Sequence, residues 1–217
     1  MPKETRRSLA LALCLLLAFG LWTAAVQSID VQAVGPQGSS VGFAALNQAV
    51  HALTGVHMTL YIITDWLGLI PICIAMAFAL LGLAQWIRRR SLLKVDFSLF
   101  VLGGFYITVI AVYVLFEIVV INRRPVLIDG YLEASYPSST TMLVLCVVPT
   151  AMMQLRGRIR REGLRRCVTL GMTVYAAFMV VGRLVSGVHW FSDIIGGALV
   201  SAGLVMLYHG IVRLKAR

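Results

Sequence analysis

Three residues near the C-terminal end of the chain have the types and spacing of a small reaction centre: Arg183, His189 and Asp193. A histidine and an aspartate four residues apart at a helix start can share a hydrogen bond. That bond fixes the imidazole tautomer and leaves the other ring nitrogen free to attack. The arginine could hold an anion against that nitrogen. The same spacing also suits a satisfied polar histidine beside a helix cap, so both interpretations are open at this point.

Two further polar clusters lie between apolar runs. One closes a run at Arg123-Arg124-Pro125, and the other opens the next run at Pro137-Ser138-Ser139-Thr140. Proline followed by hydroxyl residues at a helix start presents unpaired backbone N–H groups to an anion, although it also serves as an ordinary N-cap. Together with the histidine cluster, these segments predict a phosphate site.

The elements that must position these clusters are membrane-spanning helices. Hydrophobic residues make up 59% of the 217-residue chain and charged residues only 13%, and mean hydropathy is +0.88; a soluble domain is far more polar. The apolar residues come in blocks long enough for helices that cross a bilayer. We predict an all-α, single-domain, six-helix membrane protein over residues 1–217. The predicted spans are Leu9–Ala25, Leu60–Trp86, Phe97–Ile121, Thr140–Leu155, Val168–Val185 and Ile194–Val212.

The positive charge is sorted by membrane side. Sixteen of the 19 Lys and Arg residues fall before span one, after spans two and four, or at the C-terminus. An even number of spans places these groups on one side, which the positive-inside rule makes cytoplasmic. We therefore expect a multi-pass plasma-membrane protein with both termini cytoplasmic and all three polar clusters at the extracytoplasmic ends of helices 3 to 6. The net charge of +10 does not indicate nucleic-acid binding, because the cations accompany helix ends without an aromatic platform.

Two segments before the clusters leave alternatives open. The run Leu9–Ala25 resembles a signal peptide, but its removal would leave five spans and put the basic loops at odds with a cytoplasmic start. Residues 27–57 form an extracytoplasmic loop whose second half, near Phe43–Leu53, predicts an interfacial helix. His51 and His57 in this loop are interpreted as surface histidines, with a role in the site as the alternative. In span two, Asp65 is interpreted as a structural polar contact, and Pro71 predicts a kink.

The three clusters resemble the signature of the type 2 phosphatidic acid phosphatase superfamily, membrane lipid phosphatases related to the vanadium haloperoxidases. That signature reads Lys, six residues, Arg-Pro; then Pro-Ser-Gly-His; then Ser-Arg, five residues, His, three residues, Asp. Here the first part ends in Arg124-Pro125, the second begins Pro137-Ser138, and the third reads Gly182-Arg183, five residues, His189, three residues, Asp193.

The resemblance implies a phosphohistidine mechanism that needs no metal or cofactor. His189 would attack phosphorus, and Asp193 would orient and charge-stabilise it. Arg124, Arg183, the Ser138 hydroxyl and the Ser139 amide would hold the equatorial oxygens, with Arg123 as a further candidate. A metal site is poorly supported by the residues themselves, since His189 and Asp193 lack further outer-side ligands beyond His51, His57 and Asp65.

The chain departs from the signature at two positions. Glu117 stands where the family has lysine, and Thr140 where it has the histidine that protonates the leaving oxygen. A threonine hydroxyl has no pKa near 7 and is a poor general acid. If ionised, Glu117 could pair with Arg123 or Arg124; if buried and protonated, it could be a displaced acid.

These features predict a hydrolase that removes phosphate from a lipid phosphate or polyprenyl diphosphate at the outer leaflet. The missing acid favours a diphosphate, because a departing phosphate needs no proton whereas a departing alkoxide does. The alternative is a catalytically degenerate member that binds or transports phospholipid headgroups. The expected partners are the lipid substrate and the bilayer, and a homodimer is left open.

Overall fold

The computed structural model describes residues 3–215. In that part of the chain the regular structure is helical, apart from isolated bridges between single residues. Eight α-helices follow in order: α1 Lys3–Ser28, α2 Ala44–Thr54, α3 Met58–Leu67, α4 Leu69–Arg89, α5 Phe97–Ile118, α6 Ser139–Arg156, α7 Glu162–Val185 and α8 Phe191–Leu214. Single 3-10 turns cover Pro36–Gly38 and Leu92–Lys94. The helix predicted in the second half of the 27–57 loop corresponds to α2.

Each of the six apolar runs predicted as spans falls on helical structure. Five helical stretches are long and apolar enough to cross a membrane: α1, α3 with α4, α5, α7 and α8. The shorter α6 carries Thr150 and Gln154 inside the bundle, both almost fully buried, and is not among the five. The all-helical architecture and the multi-pass membrane protein predicted from composition are confirmed at this level.

The helix of span two is interrupted at Gly68, between α3 and α4. Pro71 has no backbone N–H, so the carbonyl of Leu67, four residues earlier, cannot receive its usual helical hydrogen bond. The hydroxyl of Tyr175 on α7 donates to this carbonyl at 2.9 Å instead. The predicted kink is therefore an interruption three residues before the proline, and the hydrogen bond from Tyr175 on a neighbouring helix stabilises it.

The core lies between α5, α6 and α8. It is built from side chains that are almost fully buried. α1 packs along α8, and α6 lies between α7 and α8. The buried side chains of the core between α5, α6 and α8 include Leu102, Phe105, Met142, Cys146, Val200, Leu204 and Tyr208.

The two ends of the bundle differ in chemistry. At one end the start of α1, the end of α8 and the start of α5 lie together: Arg213 pairs with Glu4, and the Lys215 ammonium lies 4.8 Å from the Phe97 ring centroid. At the other end the C-termini of α5 and α7 meet the N-termini of α6 and α8. The three motif segments follow or precede these helix ends, so the topology gathers them at one end.

Candidate functional site

A tight hairpin-like loop joins α5 to α6 and positions two polar side chains. Its turn is Asp129-Gly130, where both residues have positive φ (49° and 84°), the combination that a two-residue hairpin turn requires. Across the loop the Ser135 amide donates to the Asn122 carbonyl at 2.9 Å. This register brings Ser135 beside Asn122 and keeps Arg124 on the same loop. The loop was expected from sequence, but its pairing was not; the Asp-Gly pair was the signal for it.

The turn between α7 and α8 carries His189 and Asp193. Gly187 in this turn has φ of 68°, and a Cβ there would lie 1.9 Å from the Gly55 carbonyl oxygen, so only glycine fits. Asp193 lies in the first turn of α8, where its Oδ2 accepts the Trp190 amide at 3.0 Å. This bond satisfies an N–H that the helix start leaves without an intrahelical partner and fixes the carboxylate.

His189 is 3% exposed and is held from both ring nitrogens. Its Nδ1 lies 3.0 Å from Ser135 Oγ, and Ser135 Oγ donates to Asp193 Oδ2 at 2.5 Å. The direct distance from Nδ1 to Asp193 Oδ2 is 3.9 Å. The direct hydrogen bond expected from the four-residue spacing is therefore replaced by a contact through Ser135. On the other side, Nε2 lies 3.3 Å from Arg124 Nη1.

Burial lowers the pKa of His189 to about 4, because an imidazolium cannot be solvated by water there. The Asp193 carboxylate acts in the opposite direction, while the charges of Arg124 and Arg183 lower the pKa further. The net result is a neutral imidazole at physiological pH. A neutral ring keeps a lone pair on one nitrogen, as a nucleophile requires.

Two motif residues carry buried polar atoms without partners. Ser138 Oγ and Arg183 Nε have no hydrogen-bond partner among residues 3–215, and Ser138 is 0% and Arg183 1% exposed. Such atoms are costly to bury unless a ligand satisfies them. Ser138 precedes α6, whose first-turn amides, including that of Ser139, point out of the helix start. The start of α6 approaches α8 closely at Gly197, where a Cβ would lie 3.1 Å from the Ser138 carbonyl oxygen.

Both arginines of the motifs lie against acidic residues and one tyrosine. Arg183 Nη1 is 3.6 Å from Asp65 Oδ1. Arg124 Nε is 2.9 Å from Glu133 Oε2, although its N–H does not align for a hydrogen bond. The Tyr61 ring lies 4.9 Å from the Arg183 guanidinium and 5.9 Å from that of Arg124. Asp65 is thus a partner of Arg183, in keeping with its interpretation as a polar contact.

The two departures from the family signature lie at the edge of this cluster. Glu117 is exposed and lines a small cavity together with Ser139 and His189. The acidic partner of Arg124 is Glu133, and Arg123 donates to the Leu132 carbonyl at 3.0 Å. Thr140 does not line the small cavity.

A larger cavity of about 530 Å³ adjoins the small one between α4, α5 and α6. Ser139 and Tyr113 line both cavities, while Asp65 and Thr140 line the larger one. The rest of its wall is largely apolar and includes Leu69, Ile72, Val109, Ile110, Leu143 and Val147. An apolar cavity next to buried arginines suits a ligand with a hydrocarbon chain and an anionic head.

The loop before α3 braces the site and contributes no side chain to its centre. Asn47 of α2 is fully buried; it donates to Ser192 Oγ at 2.9 Å and accepts the Ser192 amide at 3.0 Å. His51 Nε2 contacts the Gly187 carbonyl at 3.1 Å, and His57 Nε2 contacts the Thr54 carbonyl at 2.9 Å. Neither histidine lies beside His189, so the loop holds the α7–α8 turn from outside.

Within residues 3–215 no group of three or more His, Cys, Asp or Glu side chains is arranged to hold a metal ion. The ionisable residues around His189 are mainly arginines and single carboxylates. Arg124, 3.3 Å from His189 Nε2, and Arg183, whose guanidinium shares the Tyr61 ring with that of Arg124, are suited to bind an anion.

The helices long and apolar enough to cross a membrane, with a buried histidine and two arginines at one end of the bundle, define a multi-pass membrane protein with a candidate anion site. Residues 119–217 match the model of the PAP2 superfamily. This segment carries all three motifs, whereas Glu117 lies just outside it. The family resemblance predicted from the motifs is confirmed.

The fold has a solved counterpart. It is similar to that in the crystal structure of the first transmembrane PAP2 type phosphatidylglycerolphosphate phosphatase from Bacillus subtilis. The TM-score is 0.57 at 21% sequence identity, over 95% of this chain and 98% of that chain. At this identity the likeness establishes a shared fold. A comparison with curated protein sequences gives no match.

Proposed function

We propose that this protein is a membrane lipid phosphatase that works through a phosphohistidine intermediate. One observation carries the proposal: a buried His189 lies 3.3 Å from Arg124, and the other two motifs each bury a polar atom, Ser138 Oγ and Arg183 Nε, that has no partner in residues 3–215. Donors left unpartnered in all these motifs favour a bound anion, whose oxygens would accept from them.

In the proposed reaction, Nε2 of His189 attacks phosphorus in line, an N–P bond forms and the bond from phosphorus to the leaving oxygen breaks. Arg124, Arg183 and the Ser138 hydroxyl hold the equatorial oxygens, with the Ser139 amide as a fourth donor. Because these donors are fixed before substrate arrives, they stabilise the charge of the transition state without reorganising. Asp193 stabilises the positive charge that develops on the imidazole. Water then hydrolyses the phosphohistidine.

The substrate class follows from the leaving group. Thr140 cannot protonate an alkoxide effectively, so the enzyme favours a substrate whose leaving group is already stable as an anion. A lipid diphosphate, such as a polyprenyl diphosphate, releases a phosphate monoester with a second pKa of about 6. The apolar cavity of about 530 Å³ would take the first part of the lipid chain.

The proposed orientation has six spans, with α6 as the sixth beside the five apolar stretches. The end of the bundle with both termini and the loop around Lys94 is cytoplasmic, because the basic residues concentrate there. The site then lies at the extracytoplasmic ends of the helices, in the plasma membrane. Substrate would enter from the outer leaflet.

A second candidate function is headgroup binding without chemistry. The ion pairs of Arg124 with Glu133 and of Arg183 with Asp65 favour it, because carboxylates already partly neutralise both arginines. The oriented, neutral His189 favours catalysis, since a pure binder gains nothing from a free imidazole lone pair.

The test is phosphate release by the purified protein in detergent from a polyprenyl diphosphate and from phosphatidate. We expect release that is faster from the diphosphate and absent in His189→Ala. His209→Ala is the matched control, because His209 lies in α8 beside Ser8, far from the site along the chain, and should keep activity. Trapping an acid-labile phosphate on His189 would identify the intermediate.

Two results would count against parts of this proposal. Faster turnover of phosphatidate would refute the substrate preference. No release from either lipid, with phospholipid binding that weakens in Arg124→Ala or Arg183→Ala, would establish the binding function instead.

A further inference from the structure

The nucleophile and its carboxylate do not touch. His189 Nδ1 and Asp193 Oδ2 are 3.9 Å apart, which is too far for a hydrogen bond. The Ser135 hydroxyl lies between them, 3.0 Å from Nδ1 and 2.5 Å from Oδ2. All three side chains are buried.

We propose that Ser135 is a positioning residue that connects Asp193 to His189 through its hydroxyl and so fixes the imidazole as the nucleophile. The proposal rests on the proposed phosphatase function for its kinetic consequence. The position of the hydrogen on the His189 ring, in contrast, can be measured without any turnover.

The donors and acceptors of these three side chains determine the tautomer of His189. An ionised carboxylate can only accept, so the single hydroxyl hydrogen of Ser135 points to Asp193 Oδ2. The Ser135 oxygen is then left as an acceptor toward His189, and Nδ1 must carry the imidazole hydrogen. Nε2 therefore has the lone pair.

A second contact leads independently to the same tautomer. Arg124 Nη1, which can only donate, lies 3.3 Å from His189 Nε2. A hydrogen on Nε2 would clash with that N–H. The lone pair on Nε2 thus faces the guanidinium that would hold the phosphate, which is the direction from which attack on phosphorus would come.

The backbone explains why Asp193 does not contact His189 directly. Asp193 Oδ2 is held by the Trp190 amide at 3.0 Å, and Oδ1 accepts Asn122 Nδ2 at 3.1 Å. Ser135 is tied to Asn122 in turn, through its amide at 2.9 Å. These bonds fix both the carboxylate and the hydroxyl, and the imidazole is oriented by them.

During attack, Nε2 bonds to phosphorus and the bond to the leaving oxygen breaks, while the hydrogen on Nδ1 stays in place. The imidazole becomes cationic, and its charge reaches Asp193 through two successive hydrogen bonds. No proton needs to leave the three residues in this step.

The first measurement is the tautomer of His189 by NMR of protein labelled with ¹⁵N-histidine. The chain has only four histidines, and the spectrum of His189→Ala assigns the signal of His189. We expect a neutral ring with hydrogen on Nδ1 in the wild type. In Ser135→Ala we expect a shifted Nδ1 signal that marks the lost hydrogen bond, with the hydrogen still on Nδ1, because Arg124 still disfavours a hydrogen on Nε2. A hydrogen on Nε2 in the wild type, or an unchanged spectrum in Ser135→Ala, would overturn the proposal whether or not the protein is an enzyme.

The second measurement is a kinetic cycle on the lipid diphosphate. Ser135→Ala should lower kcat by about 10- to 1,000-fold, the range of a lost orienting contact. The inhibition constant of inorganic phosphate should change less than about threefold, because Arg124 and Arg183 still bind it. Ser135→Thr keeps the hydroxyl and should recover most of the activity. Ser201→Ala, which removes another fully buried hydroxyl, should remain near wild type.

The cycle is completed with Asp193→Asn. If Ser135 acts through Asp193, the double variant should be no slower than the slower single variant within about threefold. If the rate losses of the two single variants multiply in the double variant, Ser135 does not connect Asp193 to His189. Absence of turnover in the wild type would refute the phosphatase function, and the NMR result would still decide the role of Ser135.

Discussion

Thr140→His should restore the family's general acid and change which substrates the protein prefers. Thr140 lies in the first turn of α6 and lines the apolar cavity. Its Cγ2 would be 3.7 Å from a Cβ placed on Gly68. Because Gly68 has no side chain and Thr140 is only partly buried, the larger imidazole has room on the cavity side.

The size of the effect follows from what the new residue would do. A well-placed general acid contributes about 10²- to 10⁴-fold to a reaction with a basic leaving group. A new histidine at position 140 would have no built-in partner to orient it, so we expect the lower end, about 10- to 100-fold, on phosphatidate. That gain corresponds to about 1.4 to 2.7 kcal/mol of transition-state stabilisation. The diphosphate reaction should change less than about threefold, because its leaving phosphate needs no proton.

The assay is phosphate release from both lipids as a function of pH, with Thr140→Asn as the matched control. Asparagine is similar in size and polarity but has no proton to give in this range. The gain in Thr140→His should be present at low pH and disappear as pH rises through about 6.5, the ordinary pKa of histidine, because only imidazolium can act as the acid. Equal rates for the His and Asn variants on phosphatidate would refute the argument that the missing acid limits this substrate.

Three further predictions concern stability, the turn and metal dependence. The pKa of His189 is about 4 in the folded state and about 6.5 in the unfolded state, so the unfolded state binds the proton first as pH falls. The free energy of unfolding should therefore drop by about 2 kcal/mol between pH 8 and pH 5. The Tm should fall over this range, and it should fall less in His189→Ala. Gly187→Ala should lower Tm strongly, since its Cβ would lie 1.9 Å from the Gly55 carbonyl oxygen, whereas Gly82→Ala, with open space around it, should keep or raise Tm; equal Tm values would show that the turn can move. Phosphate release should persist in excess chelator, and its loss would mean that a metal ion takes part.

The hydrophobic pattern in the sequence was sufficient to predict the helices and the gathering of the motifs. Runs such as Phe97–Ile121 are as long as a helix must be to cross a bilayer, so their lengths alone predict membrane-spanning helices. Antiparallel helices with short connections then put the segments around Arg124, Ser138 and His189 at one end. The proline within span two also predicted a kink in its helix at Pro71.

The partners of individual side chains could not be read from the sequence. Ser135 and Glu133 lie in a loop where no periodicity tells which residue faces His189 or Arg124. Their positions depend on the register of the hairpin-like loop at Asp129 and on how closely the start of α6 approaches α8.

The same reason explains why spacing misjudged the contact between His189 and Asp193. Four residues on a regular helix bring two side chains together, but His189 precedes α8 and Asp193 is held by the Trp190 amide. Residue types and spacing therefore determined the chemistry that this chain can attempt. The tertiary structure alone decided that Ser135 lies between the imidazole of His189 and the carboxylate of Asp193, because hydrogen-bond distances depend on packing between segments far apart in the chain.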